Sequence, residues 1–186
     1  MFTNLYLFFA KIISNNLPFV RKMRYEIRRQ IGSSKRILEV GCALGGTLAI
    51  LYSPGRFLVG IDNDKKKIKI AGSIHRHIQF SIMDAVSLGF TDDAFDAVVL
   101  SFALHEIDDY TTTIKEACRV SRKVVVADMG SPKGIGGVFF KFVEGEKLER
   151  HLSRDYDSEF RRYGFFNIMS ENISANVVMC IYAKIE

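Results

Sequence analysis

The sequence predicts an α/β fold in which helices cover both faces of a mostly parallel sheet. Short apolar runs rich in Val, Ile, Leu and Phe recur along the chain, and helix-like segments separate most of them. Continuous apolar strands that alternate with helices are typical of a parallel sheet buried on both faces. The chain has 186 residues and 48% of them are hydrophobic, which suffices for one sizeable core. We therefore expect a single domain over residues 1–186.

Residues 1–31 are predicted to form two short helices that precede the sheet. The apolar run at the N-terminus is broken by Lys11, and it lacks the charged start and the cleavage site of a signal peptide. It is also shorter than the roughly 20 residues that a membrane-spanning helix needs. The second helix has apolar residues at helical spacing and ends at Gly32, a typical C-cap. These apolar residues are Val20, Met23, Ile27 and Ile31.

The core is predicted to follow over residues 36–186, beginning with five strands. These strands are expected at 36–40, 56–61, 77–82, 95–101 and 123–128. Helices are expected at about 45–53, 64–72 and 109–120, whereas the third connection is too short for more than one helical turn. After residue 130 the chain continues with a glycine-containing segment and a charged helix over 145–164. Two apolar runs joined by a short connection then predict an antiparallel closing pair.

Charge and cysteine content restrict the class of protein only weakly. The net charge of +5 is compatible with an anionic partner but does not require one. The lysine-rich run over 65–69 is interpreted as the solvent-facing side of a helix, so we do not expect a nucleic-acid partner. Cys42, Cys118 and Cys180 are far apart and lack metal-ligand spacing, as expected for reduced thiols in a cytoplasmic protein.

No metal site is predicted from the histidines. His75, His77 and His151 lack the spacing of metal ligands, and we expect them to be surface residues.

Three acidic residues are placed to meet at one edge of the predicted sheet. Glu39 ends the first strand beside a glycine-rich turn, Asp62 ends the second strand, and Asp84 follows the third. In open α/β sheets the ligand binds at the carboxyl ends of the strands. A glycine-rich turn before a helix usually receives an anion, so a carboxylate beside it indicates a ligand that also carries positive charge. Asp62 lies 21 residues after Gly41, a spacing at which a carboxylate can bind ribose hydroxyls.

These features resemble the class I S-adenosylmethionine-dependent methyltransferases, and the resemblance covers residues 36–185. The first motif of that family, acid-x-Gly-x-Gly-x-Gly, stands here as Glu39-Val40-Gly41-Cys42-Ala43-Leu44-Gly45. Ala43 replaces the middle glycine, a change that we interpret as tolerated. The stretch "FDAVVLSFALHEI" is similar to the small-molecule branch related to ubiquinone and menaquinone biosynthesis. The resemblance implies a Rossmann-like, doubly wound, seven-stranded sheet with the last strand antiparallel.

The resemblance also implies where S-adenosylmethionine binds. Asp62 would bind the ribose hydroxyls, Asp84 would receive the adenine amino group, and Glu39 would lie near the ammonium group. Ala85 would offer its backbone to the adenine, and Ser101 would lie beside the methionine moiety. The complete set of predicted cofactor-binding residues is Glu39, Gly41, Cys42, Ala43, Gly45, Asp62, Asn63, Asp84, Ala85, Ser101 and Phe102.

His105 is the candidate catalytic residue, and two interpretations of it stay open. It follows the fourth strand at the predicted ligand edge, where an imidazole could take a proton from the acceptor. It could equally bond Glu106, Asp108 or a backbone group and hold the loop. The expected acceptor is a small, largely apolar molecule covered by residues 1–31 and by the glycine-rich segment 130–142.

Two alternatives to this function remain, together with one variant of its acceptor. A nucleotide-dependent oxidoreductase would use the same glycine-rich turn with NAD, but it would not need Asp84. A non-catalytic protein of the same fold would bind the cofactor or a partner without turnover. The basic N-terminal helix could also make a peripheral membrane contact to reach a lipid acceptor.

Overall fold

The computed structural model describes residues 17–131, 146 and 148–185, and these residues contain a seven-stranded sheet. The strands are Arg36–Val40 (β1), Phe57–Asp62 (β2), Gln79–Ile82 (β3), Ala97–Ser101 (β4), Lys123–Met129 (β5), Phe165–Ser174 (β6) and Val177–Lys184 (β7). The helices are Pro18–Ile31 (α1), Gly46–Leu51 (α2), Lys65–Ile74 (α3), Tyr110–Val120 (α4) and Tyr156–Arg162 (α5). A further helical stretch covers residues 148–152.

The strand order is β3-β2-β1-β4-β5-β7-β6, which confirms the predicted fold class. The pairs β1–β2, β1–β4, β2–β3 and β4–β5 are parallel, whereas β7 runs antiparallel to both β5 and β6. The chain returns from β3 to β4 across β1 and β2, so the strand order reverses between β1 and β4. In doubly wound sheets the ligand crevice opens at such a point.

Two apolar layers sandwich the sheet because successive strand residues point to opposite faces. In β1, Leu38 belongs to the layer that contains α4 and α5, whereas Ile37 belongs to the layer that contains α1, α2 and α3. Glu39 follows the same alternation as Ile37. Its carboxylate is therefore directed into an apolar layer beneath the loop that follows β1.

Helix α1 is an integral part of the second layer. Its four periodic apolar residues are all buried, and Gly32 terminates the helix with a φ of 55°. Both features agree with the spacing in the sequence. The predicted first N-terminal helix and most of the predicted cover over 130–142 lie outside the described residues, so the covering role stays a prediction. None of the described helices is long and apolar enough to cross a bilayer.

The predicted charged helix over 145–164 is interrupted in the structure. Helical residues end at 152, and α5 begins at Tyr156 after a short turn. Asp155 caps α5, because its side chain accepts a hydrogen bond from the Ser158 backbone N–H. The two helical pieces therefore run separately.

The histidine prediction was partly wrong. His77 is exposed and His75 is half-buried, but His151 is only 4% exposed. Both ring nitrogens of His151 form hydrogen bonds within the protein, and this allows the polar ring to be buried.

Candidate active site

The carboxyl ends of β1, β2 and β4 meet at one edge of the sheet. Val40 pairs with Ile61 of β2 on one side and with Leu100 of β4 on the other. The segments that follow these strands therefore start side by side. The glycine-rich loop follows β1, Asp62 ends β2 and Ser101 ends β4, so most of the predicted cofactor-binding residues lie along one rim.

The loop after β1 adopts three left-handed conformations within five residues. The φ angles are 73° at Gly41, 46° at Ala43 and 76° at Gly45. A Cβ at Gly41 would lie 2.9 Å from the Ala103 Cβ, so this position needs glycine for space as well as for conformation. Ala43 has a Cβ in a conformation that favours glycine. The substitution noted in the sequence is thus accommodated as local backbone strain.

Glu39 is a buried carboxyl group that holds the start of α2. It is 2% exposed, and it interacts with Thr47, with the charge of Arg24 and with the Leu48 backbone N–H. Leu48 occupies the third position of α2, where a backbone N–H has no partner inside the helix. Within the described part of the chain, Glu39 Oε2 has no hydrogen-bond partner. Burial raises the pKa of Glu39 to about 8.

Asp62 ties the loop after β1 to the end of β2. Its Oδ2 accepts the Ala43 backbone N–H at 2.9 Å, and its Oδ1 accepts the Asp64 backbone N–H at 2.9 Å. Asp62 is nearly buried, whereas Asn63 next to it is exposed. The two backbone N–H groups therefore hold the carboxylate in one orientation.

Asp84 is exposed beyond the end of β3. Its Oδ1 accepts the Val86 backbone N–H at 3.2 Å, which forms a tight turn at Ala85. A carboxylate in such a turn is oriented but stays open to solvent.

Ser101 and Phe102 complete the predicted cofactor set at the end of β4. The Ser101 hydroxyl lies 3.5 Å from the Thr47 hydroxyl, which links the ends of β1 and β4 through a side chain of α2. Phe102 has a φ of 51°, and its ring meets the Phe19 ring edge-on at 6.4 Å. Helix α1 therefore contributes an aromatic side chain to this rim.

His105 forms a buried pair with Asp128, and its Nε2 also lies 3.8 Å from Glu106 Oε1. Its Nδ1 lies 2.7 Å from Asp128 Oδ1, and its backbone N–H donates to Asp128 Oδ2 at 3.3 Å. Because a carboxylate only accepts hydrogen bonds, Nδ1 carries the proton. The neutral imidazole then has its lone pair on Nε2, the nitrogen that a general base would use. The side chains of His105 and Asp128 are 6% and 2% exposed.

Three residues near His105 were not predicted to belong to the site. Asp128 is the penultimate residue of β5, the neighbour of β4, and an acid at the carboxyl end of a buried strand was the signal that could have found it. His151 and Tyr156 follow in the chain, and their rings lie 5.4 Å apart. No spacing in the sequence indicated that they approach His105.

The described residues contain no group of three or more His, Cys, Asp or Glu that is placed to hold a metal ion. Cys42 lies in the loop, and burial raises the pKa of its thiol. This thiol is therefore protonated at neutral pH and contributes packing to the loop.

Replacement of Ala43 by glycine should stabilise the protein slightly. A non-glycine residue in the left-handed region costs about 1–2 kcal/mol, and the greater flexibility of unfolded glycine offsets about 0.5–1 kcal/mol of this. We expect Ala43→Gly to raise the free energy of unfolding by up to about 1 kcal/mol, as measured by urea titration. Ala49→Gly, inside α2, is the matched control and should lower it by about 1 kcal/mol. Equal losses in both variants would contradict the strain at Ala43.

Glu39 should make stability depend on pH. The pKa of Glu39 is 4.5 for a free side chain and about 8 in the folded protein. Between these values the folded state retains a proton that the unfolded state has lost, so the stability associated with this proton is complete below about pH 4.5 and decreases as pH rises to about 8.

Glu39→Gln removes this titration. The free energy of unfolding of the wild type should fall relative to this variant by roughly 3–5 kcal/mol across that range, at about 1.4 kcal/mol per pKa unit. Urea titrations near the two ends of the range measure the difference. Glu149→Gln, at an exposed position, is the control and should follow the wild type. Parallel curves for Glu39→Gln and the wild type would refute the raised pKa.

Comparison with known proteins agrees with this geometry. Residues 38–125 match the family described as "Methyltransferase domain". The demethylmenaquinone methyltransferase of Mycobacterium marinum is 28% identical over 137 residues, which cover 67% of this chain and 53% of that protein. The chain spans about half the length of the curated relatives that it matches.

Two solved structures show the same fold. YcgJ of Bacillus subtilis superimposes with a TM-score of 0.70 at 18% identity, covering 89% of this chain and 99% of that one. The magnesium protoporphyrin IX methyltransferase of Synechocystis PCC 6803, solved with bound SAH, has a TM-score of 0.69 at 13% identity and covers 90% and 84% of the two chains. From the family match, the strand order and the glycine-rich loop, the chain belongs to the class I S-adenosylmethionine-dependent methyltransferases.

Proposed function

We propose that this protein transfers a methyl group from S-adenosylmethionine to a small, largely apolar acceptor, with His105 as the general base. The observation that carries the proposal is the buried hydrogen bond of 2.7 Å between His105 and Asp128. It lies at the carboxyl ends of β4 and β5, next to the point where the strand order reverses, and the His105 ring is 6.4 Å from the Phe102 ring. A carboxylate that fixes one nitrogen of an imidazole leaves the other in the form that accepts a proton.

The residues of the rim fit S-adenosylmethionine. Glu39 Oε2 is buried and lacks a hydrogen-bond partner among the described residues, so it is available to the cofactor's ammonium, directly or through water; that positive charge would favour the ionised carboxylate against the effect of burial. Asp62 is pre-oriented for the ribose hydroxyls, and Asp84 is open for the adenine amino group. When bound, the cofactor supplies a methyl group on a positively charged sulfur. Gly41 and Gly45 allow the backbone to approach it.

The chain's own contribution to the reaction is positioning and removal of a proton. Nε2 of His105 takes a proton from the methyl acceptor. The Asp128 carboxylate stabilises the resulting imidazolium through its hydrogen bond with Nδ1–H. The Phe19 and Phe102 rings form an apolar wall at this end of β4, and they exclude water from the acceptor. These roles need no covalent intermediate with the protein.

The acceptor is a small molecule in this proposal. The apolar rings beside His105 support it, and the relative from Mycobacterium marinum is named for action on demethylmenaquinone. A lipid surface remains the variant for the basic helix α1. In the structure Arg28 bonds the Ile50 carbonyl, and Arg29 pairs with Glu26 and Glu171. These two cations are therefore used within the protein.

Transfer of labelled methyl groups tests the activity itself. The protein would be incubated with S-adenosylmethionine carrying a labelled methyl group and with an organic extract of small metabolites, and products would be identified by mass spectrometry. A labelled apolar product supports the proposal. Cofactor binding without any labelled product would support a non-catalytic protein, and preferential binding of NAD by calorimetry would support an oxidoreductase.

Loss of either rim carboxylate should weaken cofactor binding. Asp62→Ala and Asp84→Ala should each cost roughly 1–3 kcal/mol of binding free energy for S-adenosylmethionine, because polar groups of the ligand lose a charged partner. Calorimetry on the folded fraction measures this. Asp64→Ala is the matched control, because Asp64 also bonds backbone N–H groups but as the cap of α3. The site assignment fails if Asp62→Ala binds the cofactor as tightly as Asp64→Ala.

His105→Ala should reduce turnover far more than cofactor affinity. Loss of a general base lowers the rate by ~10²-fold or more, while the dissociation constant for S-adenosylmethionine should stay nearly unchanged. Because the protonated imidazole cannot accept a proton, the wild-type rate should rise with pH through one ionisation near neutrality. The charged and titratable groups that face His105 are Asp128, Glu106 and His151.

The control for this experiment is His77→Ala, which removes an exposed imidazole that stacks on the Tyr52 ring. It should keep the wild-type rate and pH profile. If His105→Ala loses stability but its folded fraction turns over normally, then the imidazole only holds the loop.

A further inference from the structure

A second imidazole, that of His151, contacts the residue that follows Asp128. Its Nε2 is 2.8 Å from the Met129 carbonyl oxygen, and its Nδ1 is 2.7 Å from the Tyr156 hydroxyl. The His105 and His151 rings are nearly perpendicular, with centroids 6.1 Å apart. Two neighbouring histidines therefore contact the last residues of β5.

The partners of His151 determine its protonation state. The Met129 carbonyl can only accept, so Nε2 carries the proton and Nδ1 accepts from the Tyr156 hydroxyl. Burial lowers the pKa of His151 and raises that of Tyr156 to about 12. Both groups are therefore neutral near pH 7, and the direction of the two hydrogen bonds is defined.

Met129 connects this pair to the proposed base. Its backbone N–H donates to Asp128 Oδ1 at 2.8 Å, and the same oxygen accepts the hydrogen bond from His105 Nδ1–H. Its carbonyl accepts from His151. Both backbone groups of Met129 are thus held, and the Asp128 carboxylate that orients His105 depends on this arrangement.

The segment that carries His151 and Tyr156 is also attached to the turn that carries His105. Arg154 donates to the Leu104 carbonyl at 2.6 Å, and its guanidinium lies 4.5 Å from the centre of the Tyr110 ring. The Tyr110 ring in turn meets the Tyr156 ring at 5.5 Å. The hydrogen bonds of Tyr156 and His151 therefore act between parts of the chain whose relative position is already restrained.

We propose that Tyr156 and His151 are positioning residues for His105, which they orient through Met129 and Asp128. This inference rests on the proposed role of His105 as the base. Neither residue touches the reacting atoms. Their effect is to restrict the end of β5 to the one arrangement in which Asp128 accepts the hydrogen bond from His105.

Tyr156→Phe tests the inference, since it removes the hydroxyl and keeps the ring. His151 then loses the donor to Nδ1, its other tautomer becomes accessible, and the Met129 carbonyl loses its hydrogen bond in that tautomer. We expect kcat to fall on the order of tenfold, less than after loss of the base itself, because misorientation of a catalytic group is costly but partial. The KM for S-adenosylmethionine should be unchanged.

A spectroscopic readout makes the test independent of the acceptor. Nitrogen–proton correlation spectra of the histidine rings in the full-length protein report the tautomer and the ionisation midpoint of His105. Both should change in Tyr156→Phe. Tyr110→Phe is the matched control, because it removes a hydroxyl from the neighbouring ring while keeping the ring contacts, and it should leave both unchanged.

Substitutions of His151 provide a second measurement if Tyr156→Phe does not fold. His151→Gln retains an N–H donor for Met129 and an acceptor for Tyr156, so it should keep more activity and a more native His105 signal than His151→Leu. Equal loss in the two variants would overturn the inference. So would a folded Tyr156→Phe protein with wild-type His105 signals.

The test separates this inference from the function on which it rests. If the His105 signals respond to Tyr156→Phe but methyl transfer does not require His105, the proposed base is wrong and the structural coupling stands. If transfer requires His105 but the His105 signals and the pH profile are unchanged by substitution of Tyr156 and His151, the positioning role is wrong and the proposed function stands.

Discussion

The parallel pairing of β1 with both β2 and β4 is the constraint on which the site depends. It aligns Val40 with Ile61 and with Leu100, so three strands end at the same level. Loops from distant parts of the sequence must then leave the sheet side by side. Addition of β5 beside β4 extends the same edge and brings Asp128 against the turn after β4. Cofactor loop and proposed base are neighbours for this reason alone.

Buried acids at this edge interact mainly with backbone N–H groups. Asp62 accepts from Ala43 and Asp64, and Asp128 accepts from Met129 and His105. Glu39 interacts with the Leu48 backbone, while its Oε2 has no partner among the described residues. Hydrogen bonds from fixed backbone groups orient a carboxylate without neutralising it. Each acid thus shapes the loop beside it. The two buried imidazoles have different hydrogen-bond partners: His105 faces a carboxylate, whereas His151 faces a carbonyl and a hydroxyl.

Much of the fold could be predicted because its signals are local. The periodicity of Val20, Met23, Ile27 and Ile31 identified the buried face of α1, and the apolar runs located the strands to within two residues at most ends. The break in the predicted charged helix over 145–164 could not be predicted from helical periodicity. In the sequence Asp155 is one of many charged residues, and only the structure shows that it caps α5. The left-handed conformation of Ala43 likewise became visible only in the folded loop.

The sequence by itself determined the order of strands and helices, the acid beside the glycine-rich turn, and the place of His105 after the fourth strand. These features depend on residues close together in the chain. Only the tertiary structure decided that His105 bonds Asp128, 23 positions away, and that His151 is buried. Hydrogen-bond partners across a sheet depend on which strands are neighbours, and burial depends on what packs above them. Neither is encoded in local spacing, because one sequence pattern is compatible with several pairings until the whole sheet forms.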